Sequence, residues 1–194
     1  MFQRIEKATL SAIIRGRNFL KFHIATGHIY ALQKVIKFDK WHIYGSSNPE
    51  YVKVATTILN SLSFNGTVVE VGCGLGNILT SCKFEKRMGF DTDANVIRAA
   101  KLINLGKNIQ FEVGSFEEAL NCRNIDVLVT INWVHNIKPE SLIEEYLRFP
   151  RILILTEGVE NYTYFHNREI FESKFLIISE TITESRHIFL LIKK

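Results

Sequence analysis

The sequence predicts an α/β fold: a doubly wound, mostly parallel seven-stranded sheet with an antiparallel C-terminal hairpin, preceded by a helical arm. Three observations carry that prediction. Short β-branched or apolar runs alternate with segments whose apolar residues recur at helical spacing, the order that joins parallel strands through crossover helices. A glycine-rich loop, Gly72-Cys73-Gly74-Leu75-Gly76, follows the first of those runs directly. The C-terminal stretch FLIISETITESRHIFLLIK holds two apolar runs around a polar TES, the pattern of a hairpin.

The elements follow in order. In residues 1–38, Ile5, Leu10, Ile13 and Ile14 recur loosely at helical spacing, and Gly16 and Gly27 interrupt them, which gives two helices and a break. KFDKWHIYGSSNP reads as an aromatic-rich loop. Asn48 then caps a helix with Pro49 in its first turn and Glu50 at its positive end, and Val52, Ala55, Ile58 or Leu59, and Leu62 line one face. Thr67 to Val71 is the first strand and is buried; RMGFD, ending at Asp91, is the second. Asp93 caps a helix that turns Val96, Ala99, Ala100 and Ile103 inward. IQFEVG and IDVLVTIN are strands three and four, Pro139 and Glu140 open a helix through Leu147, and RILILT is strand five.

A chain of 194 residues suits one well-buried domain. Its 46% apolar and 23% charged content fits a soluble globular protein and excludes disorder. The net charge is +4, and up to Lys40 there are eight Lys or Arg against two acids, so the arm carries the excess. Cys73, Cys82 and Cys122 show no paired spacing, as expected of reduced thiols in the cytoplasm. The first residues do not read as a signal peptide, and no run approaches the roughly 18–20 apolar residues of a membrane span.

In a doubly wound sheet, ligands bind beyond the carboxyl ends of the strands, where the glycine loop falls. A dinucleotide fingerprint counted from Gly72 requires its third glycine at position 77, which is Asn77. The chain has Gly-x-Gly-x-Gly instead, with Glu70 two residues ahead. An acid there suits a cationic ligand and gives a pyrophosphate nothing. Three glycines so close together also predict that something occupies the space their side chains would fill.

The stretch EVGCGLG resembles the first motif of class I S-adenosylmethionine-dependent methyltransferases, acid-x-Gly-x-Gly-x-Gly. The resemblance runs from about Val52 to the C-terminus. It implies a Rossmann-like domain over residues 49–194, an arm or lid over 1–48, and S-adenosyl-L-methionine as cofactor. Glu70, Gly72, Cys73, Gly74 and Gly76 then form the cofactor loop. Asp91, beside Thr92, stands where the family places the acid that accepts both ribose hydroxyls. At Gly114-Ser115-Phe116 the family usually has Gly-Asp; here Ser115 bonds adenine, and Phe116 packs on the ring or fills core. Asn132-Trp133-Val134-His135 follows strand four, where the family flanks the transferable methyl group, and Asn132 and Trp133 are assigned to the cofactor. This segment lacks the Asn/Asp-Pro-Pro-Tyr of nucleobase amino methyltransferases and is more similar to the small-molecule and metabolite branch. KFDKWH, NPEY and the glycine loop together are loosely similar to compact methyltransferases of bacterial surface-sugar biosynthesis.

Methyl transfer needs alignment above all, and a hydroxyl acceptor also gains from a base. His135 is the leading candidate base and His42 the second, with Trp41 and Tyr44 as substrate or lid contacts. His166 and His187 have no supporting context, and no His, Cys or carboxylate cluster has metal-ligand spacing. The expected activity is O-methyl transfer to a small molecule such as a sugar, without nucleic acid as partner. RNA methylation, prompted by the basic arm, and an inactive cofactor-binding scaffold are the alternatives.

Overall fold

A computed structural model of the chain describes residues 27–45, 50–64 and 66–194. The break at Gly16, the cap at Asn48 with Pro49, and the boundary at 48/49 lie outside them. What precedes Gly27 lies outside the described residues, and residues 27–36 form helix α1. Lys37 ends it in the left-handed region (φ 62°), its N–H donating to the Gln33 carbonyl, a turn that satisfies an end carbonyl.

The segment expected to be all loop contains a five-residue helix, α2 (Trp41–Gly45). Local propensity does not favour so short a helix; packing does. Phe38 and Ile43, at 1% and 0% exposure, join Ile29, Ile36, Leu75, Val96 and Ala99 in one apolar cluster. That cluster pins α2 against the glycine loop and the helix after strand two.

The elements that follow are α3 (Glu50–Ser61), β1 (Thr67–Val71), α4 (Asn77–Ser81), β2 (Lys86–Asp91), α5 (Ala94–Ile103), β3 (Gln110–Val113), α6 (Phe116–Leu120) and β4 (Val127–Thr130). After them come a 3₁₀ turn (Val134–Asn136), α7 (Pro139–Arg148), β5 (Leu153–Val159), α8 (Arg168–Glu172), β6 (Phe175–Ile182) and β7 (Arg186–Lys193). The seven strands form one sheet in the order β3-β2-β1-β4-β5-β7-β6. The first five are parallel, and β7 runs antiparallel between β5 and β6. This is the predicted fold class.

Strand alternation sorts the core into two layers. Val68, Val127, Val129 and Leu155 pack with Val52, Ala55 and Leu59 of α3, Ile78 and Leu79 of α4, and Ile97 and Ala100 of α5. Val69, Val71, Leu128 and Ile154 face the other way, toward Ala119 of α6, Leu142 and Tyr146 of α7, and Phe171 of α8. Glu70 alternates with Val69 and Val71, so it points toward the α3–α4 layer. β5 runs three residues beyond the expected RILILT and carries Glu157 into the interior at 0% exposure.

Candidate functional site

Gly72, Gly74 and Gly76 have φ of 72°, 53° and 79°, left-handed values that side-chain-bearing residues rarely adopt. A Cβ at these positions would strike the Trp133 indole, approach His42 Nδ1 and strike the Phe111 ring, respectively. The space those side chains would need is taken by the protein's own Trp133, His42 and Phe111. The loop is pinned around them. Cys73 N–H donates to the Phe90 carbonyl at 2.9 Å, Gly74 N–H to Asp91 Oδ2 at 3.0 Å, and Trp133 Nε1–H to the Val71 carbonyl at 2.7 Å.

Two cavities open beside this loop, with Trp41 and Gly72 lining both. The larger, ≈ 260 Å³, is walled by Val71, Phe116 and Trp133, with Asp91, Thr92, Gly114 and Ser115 around it. Phe116 lines this cavity and packs on Trp133, Tyr146 and Phe149. Asp91 accepts one backbone N–H on each oxygen, from Gly74 and Asp93, and each oxygen keeps a lone pair. Ser115 caps α6: its hydroxyl accepts from Glu117 N–H at 3.3 Å and donates to Glu118 Oε2 at 3.1 Å. Asp93 is the helix cap, accepting from Asn95 and Val96.

The smaller cavity, ≈ 30 Å³, is lined by Glu70, His42, Tyr51, Asn77 and Asn132 among others. Glu70 is 3% exposed, and its Oε2 has no hydrogen-bond partner among the described residues. Burial above all, then the nearby Asp91 carboxylate, pushes its carboxyl well above the usual range. Burial lowers the His42 imidazole against the pull of Asp91, Asp93 and Asp39, and its ring stacks on Trp41 at 3.6 Å. Burial raises the Tyr51 hydroxyl to about 12. The Cys73 thiol lies under the loop against Gly89 and is also raised, by burial first, so Cys73 serves the loop through its backbone.

His135 is not among the side chains lining either cavity. The chain leaves β4 through Asn132 at φ 74°. That turn presents Asn132 and Trp133 to the cavities and sends the 3₁₀ turn inward. His135 is buried there with Nδ1 3.8 Å from Glu157 Oε1, beyond hydrogen-bond reach, and the Tyr162 ring lies 4.2 Å from its own. Tyr44 belongs to α2, and its side chain lies outside the described residues. Tyr51, Glu157 and Arg186 were missed from the sequence. The only signal was two charged residues in otherwise apolar strands. Among the described residues, no group of three or more His, Cys, Asp or Glu is placed to hold a metal, and no helix is long and apolar enough to cross a membrane.

No family model matches the chain, and no curated protein matches it. Solved structures do resemble it. The PH0226 protein of Pyrococcus horikoshii OT3 aligns with a TM-score of 0.60 and 13% identity, over 76% of this chain and 93% of that one. Magnesium protoporphyrin IX methyltransferase (ChlM) from Synechocystis PCC 6803, solved with bound SAM, aligns with a TM-score of 0.58 and 11% identity, over 91% and 97%. The tRNA methyltransferase TrmK of B. subtilis gives 0.58 and 12%, over 75% and 66%. At these identities the likeness establishes the fold.

Proposed function

We propose that the chain is an S-adenosylmethionine-dependent methyltransferase acting on a small molecule at a hydroxyl. The observation that carries this reading is Glu70, a buried carboxylate with an unpartnered oxygen on the wall of a cavity beside a Gly-x-Gly-x-Gly loop. A buried unpaired carboxylate is costly unless a cation joins it, and S-adenosylmethionine carries an ammonium group. The adjoining aromatic cavity suits its adenosine, and the two proteins named above as methyltransferases share the fold.

When bound, S-adenosylmethionine supplies an electrophilic methyl on a sulfonium. The residues do the rest. Asp91 offers its remaining lone pairs to the ribose hydroxyls. Val71, Phe116 and Trp133, which line the larger cavity, would hold the adenine, and Ser115 would offer its remaining lone pair to the amino group. Glu70 takes the ammonium. Trp41, which lines both cavities, and His42, which lines the smaller, would wall the ligand and exclude water. Of the two candidate bases, His42 stands at the cavity wall, and its lowered basicity keeps the imidazole neutral and able to accept a proton. His135 lines neither cavity, which favours His42.

RNA methylation remains the second reading because the basic excess lies in the arm and TrmK shares the fold. Transfer from methyl-labelled S-adenosylmethionine into a small-metabolite pool and into total RNA, assayed side by side, separates the readings. Label in the small-molecule fraction is expected. Label in RNA alone moves the assignment to the second reading. No label in either pool, with the cofactor bound, leaves a scaffold.

A further inference from the structure

Residues 160–167 leave β5 and fold back over the 3₁₀ turn that follows β4. Tyr164 N–H donates to the His135 carbonyl at 3.2 Å. His166 Nε2 lies 3.0 Å from the Ile137 carbonyl; a carbonyl only accepts, so that nitrogen carries the proton. The Tyr162 ring packs on His135, and a Cβ at Gly158 would strike the His166 carbonyl, so the segment lies close on its own strand. Where the segment starts, Glu160 N–H donates to the Ser185 carbonyl at 3.0 Å. His187 stands beside that start.

His187, on β7, lies between two carboxylates. Its Nδ1 is 2.9 Å from Glu180 Oε1 on β6, and its Nε2 is 3.4 Å from Glu160 Oε1. A neutral imidazole has one N–H and one bare lone pair, so one of these carboxylates would face the lone pair. Only the charged ring donates to both. The rings of Phe165 and Phe189 pack on it. Arg168 of α8 reaches Glu180 at 3.1 Å and Glu172 at 2.6 Å. The charged groups that face the imidazole are therefore Glu180, Glu160 and, across Glu180, Arg168. The His187 contact, ahead of Arg168, holds the Glu180 carboxyl below the usual carboxylate range. Arg186 points to the other face of the strand, where it donates to Glu157 at 2.7 Å.

We propose that His187 is a pH-sensitive latch on this segment. Charged, the ring ties Glu160 to Glu180 and closes residues 160–167 over the 3₁₀ turn. Neutral, it keeps one carboxylate and turns a lone pair on the other. The contact given up is Glu160, which is the longer one and whose side chain is 48% exposed against 17% for Glu180. Histidine changes charge between about pH 5 and 8, so the segment loosens as pH rises through that span. The register carries the effect to the site. His187 pairs with Gly158, and Arg186 with Val159, directly after Glu157, whose Oε1 accepts from Asn132 N–H at 2.6 Å. Opening the latch slackens the strand end that holds Asn132 on the cavity wall. The latch needs no ligand and operates whichever reaction the site performs.

The test is hydrogen exchange on the full chain, followed residue by residue by NMR at about pH 5.5 and about pH 8, either side of the histidine transition. Protection is read at the Glu160, Tyr164 and Asn132 amides. The Leu128 amide, in the central strand β4, reports global opening under the same change of pH. In wild type the three amides should lose about two- to fivefold more protection than Leu128 at the higher pH, the scale of a partly exposed ion pair. The His187 ring should carry protons on both nitrogens at the lower pH. Glu160→Gln changes a half-exposed side chain and leaves the fold intact. Its amide accepts from a charged ring and donates to a neutral one, so protection should stay within about twofold of the wild-type low-pH level at both pH values. His187→Gln should show the loosened state at both. Wild-type protection that does not change relative to Leu128 overturns the latch. So does a Glu160→Gln variant that keeps the wild-type pH dependence, or a His187→Gln variant as protected as wild type at low pH.

Discussion

Glu70 sets a conflict between stability and binding. Its carboxyl is raised by burial and by Asp91, so the folded protein holds a proton there that the unfolded chain releases at lower pH. Linkage then gives the sign: stability is highest below the ordinary carboxylate range and falls as pH rises toward the raised folded value, with a limit of about 1.4 kcal/mol per pH unit for one proton. Thermal unfolding of the ligand-free protein across that window should show the decline, and Glu70→Gln should flatten it while raising stability at neutral pH. A decline of equal slope in the variant would remove Glu70 as its source. The ammonium of the ligand favours the ionised form, so binding should release protons, read as a dependence of the calorimetric heat on buffer ionisation. Asp91 and Asp93 separate in the same way. Asp91→Ala should weaken S-adenosylhomocysteine binding by about 1.5–3 kcal/mol, whereas Asp93→Ala should lower stability by about 1 kcal/mol through its cap and leave affinity nearly unchanged. The reverse pattern would reassign the ribose contact. Glu70, the glycines and Asp91 were legible in the sequence because their chemistry is local: an acid, a loop and a second acid at fixed offsets. What fills the glycine cradle was not legible, because Trp133, His42 and Phe111 arrive from three distant segments.

At the scale of elements, α2 and the end of β5 decide the site, and both escaped the sequence reading. α2 is too short to be read from propensity; it exists because Phe38 and Ile43 are buried against Leu75, Val96 and Ala99. Ile43→Ala should lower stability by about 2–5 kcal/mol. It should also weaken S-adenosylhomocysteine binding, because Trp41 and His42 ride on the same turn. An unfolding curve paired with a titration checks this. Loss of stability with unchanged affinity would mean that α2 does not wall the ligand. The sequence reading of strand five ends at Thr156, before Glu157-Gly158. The antiparallel register Glu157↔Ile188, Gly158↔His187, Val159↔Arg186 carries it on as strand. That long-range pairing is what brings Glu157 and Arg186 together, and no local pattern announces it. The helices with clear amphipathic faces, α3 and α5, and the five parallel strands were legible because burial on one or both faces fixes their periodicity.

At the scale of the whole molecule, the strand order reverses between β1 and β4, and both cavities lie beyond the carboxyl ends of those strands, where a doubly wound sheet receives its ligand. That placement followed from the alternation of strands and helices alone. His135 shows the limit of such reasoning: a residue can follow the right strand and still be turned away by one left-handed residue, here Asn132. The central claim is that this site takes a nucleoside bearing an ammonium group and not a dinucleotide. Calorimetric titration of the full chain with S-adenosylhomocysteine and, separately, with NAD tests it most directly. The account predicts one-site binding of S-adenosylhomocysteine, weakened at least about tenfold in Glu70→Gln, and no comparable binding of NAD. Tighter binding of NAD, or an S-adenosylhomocysteine affinity indifferent to Glu70→Gln, would contradict it.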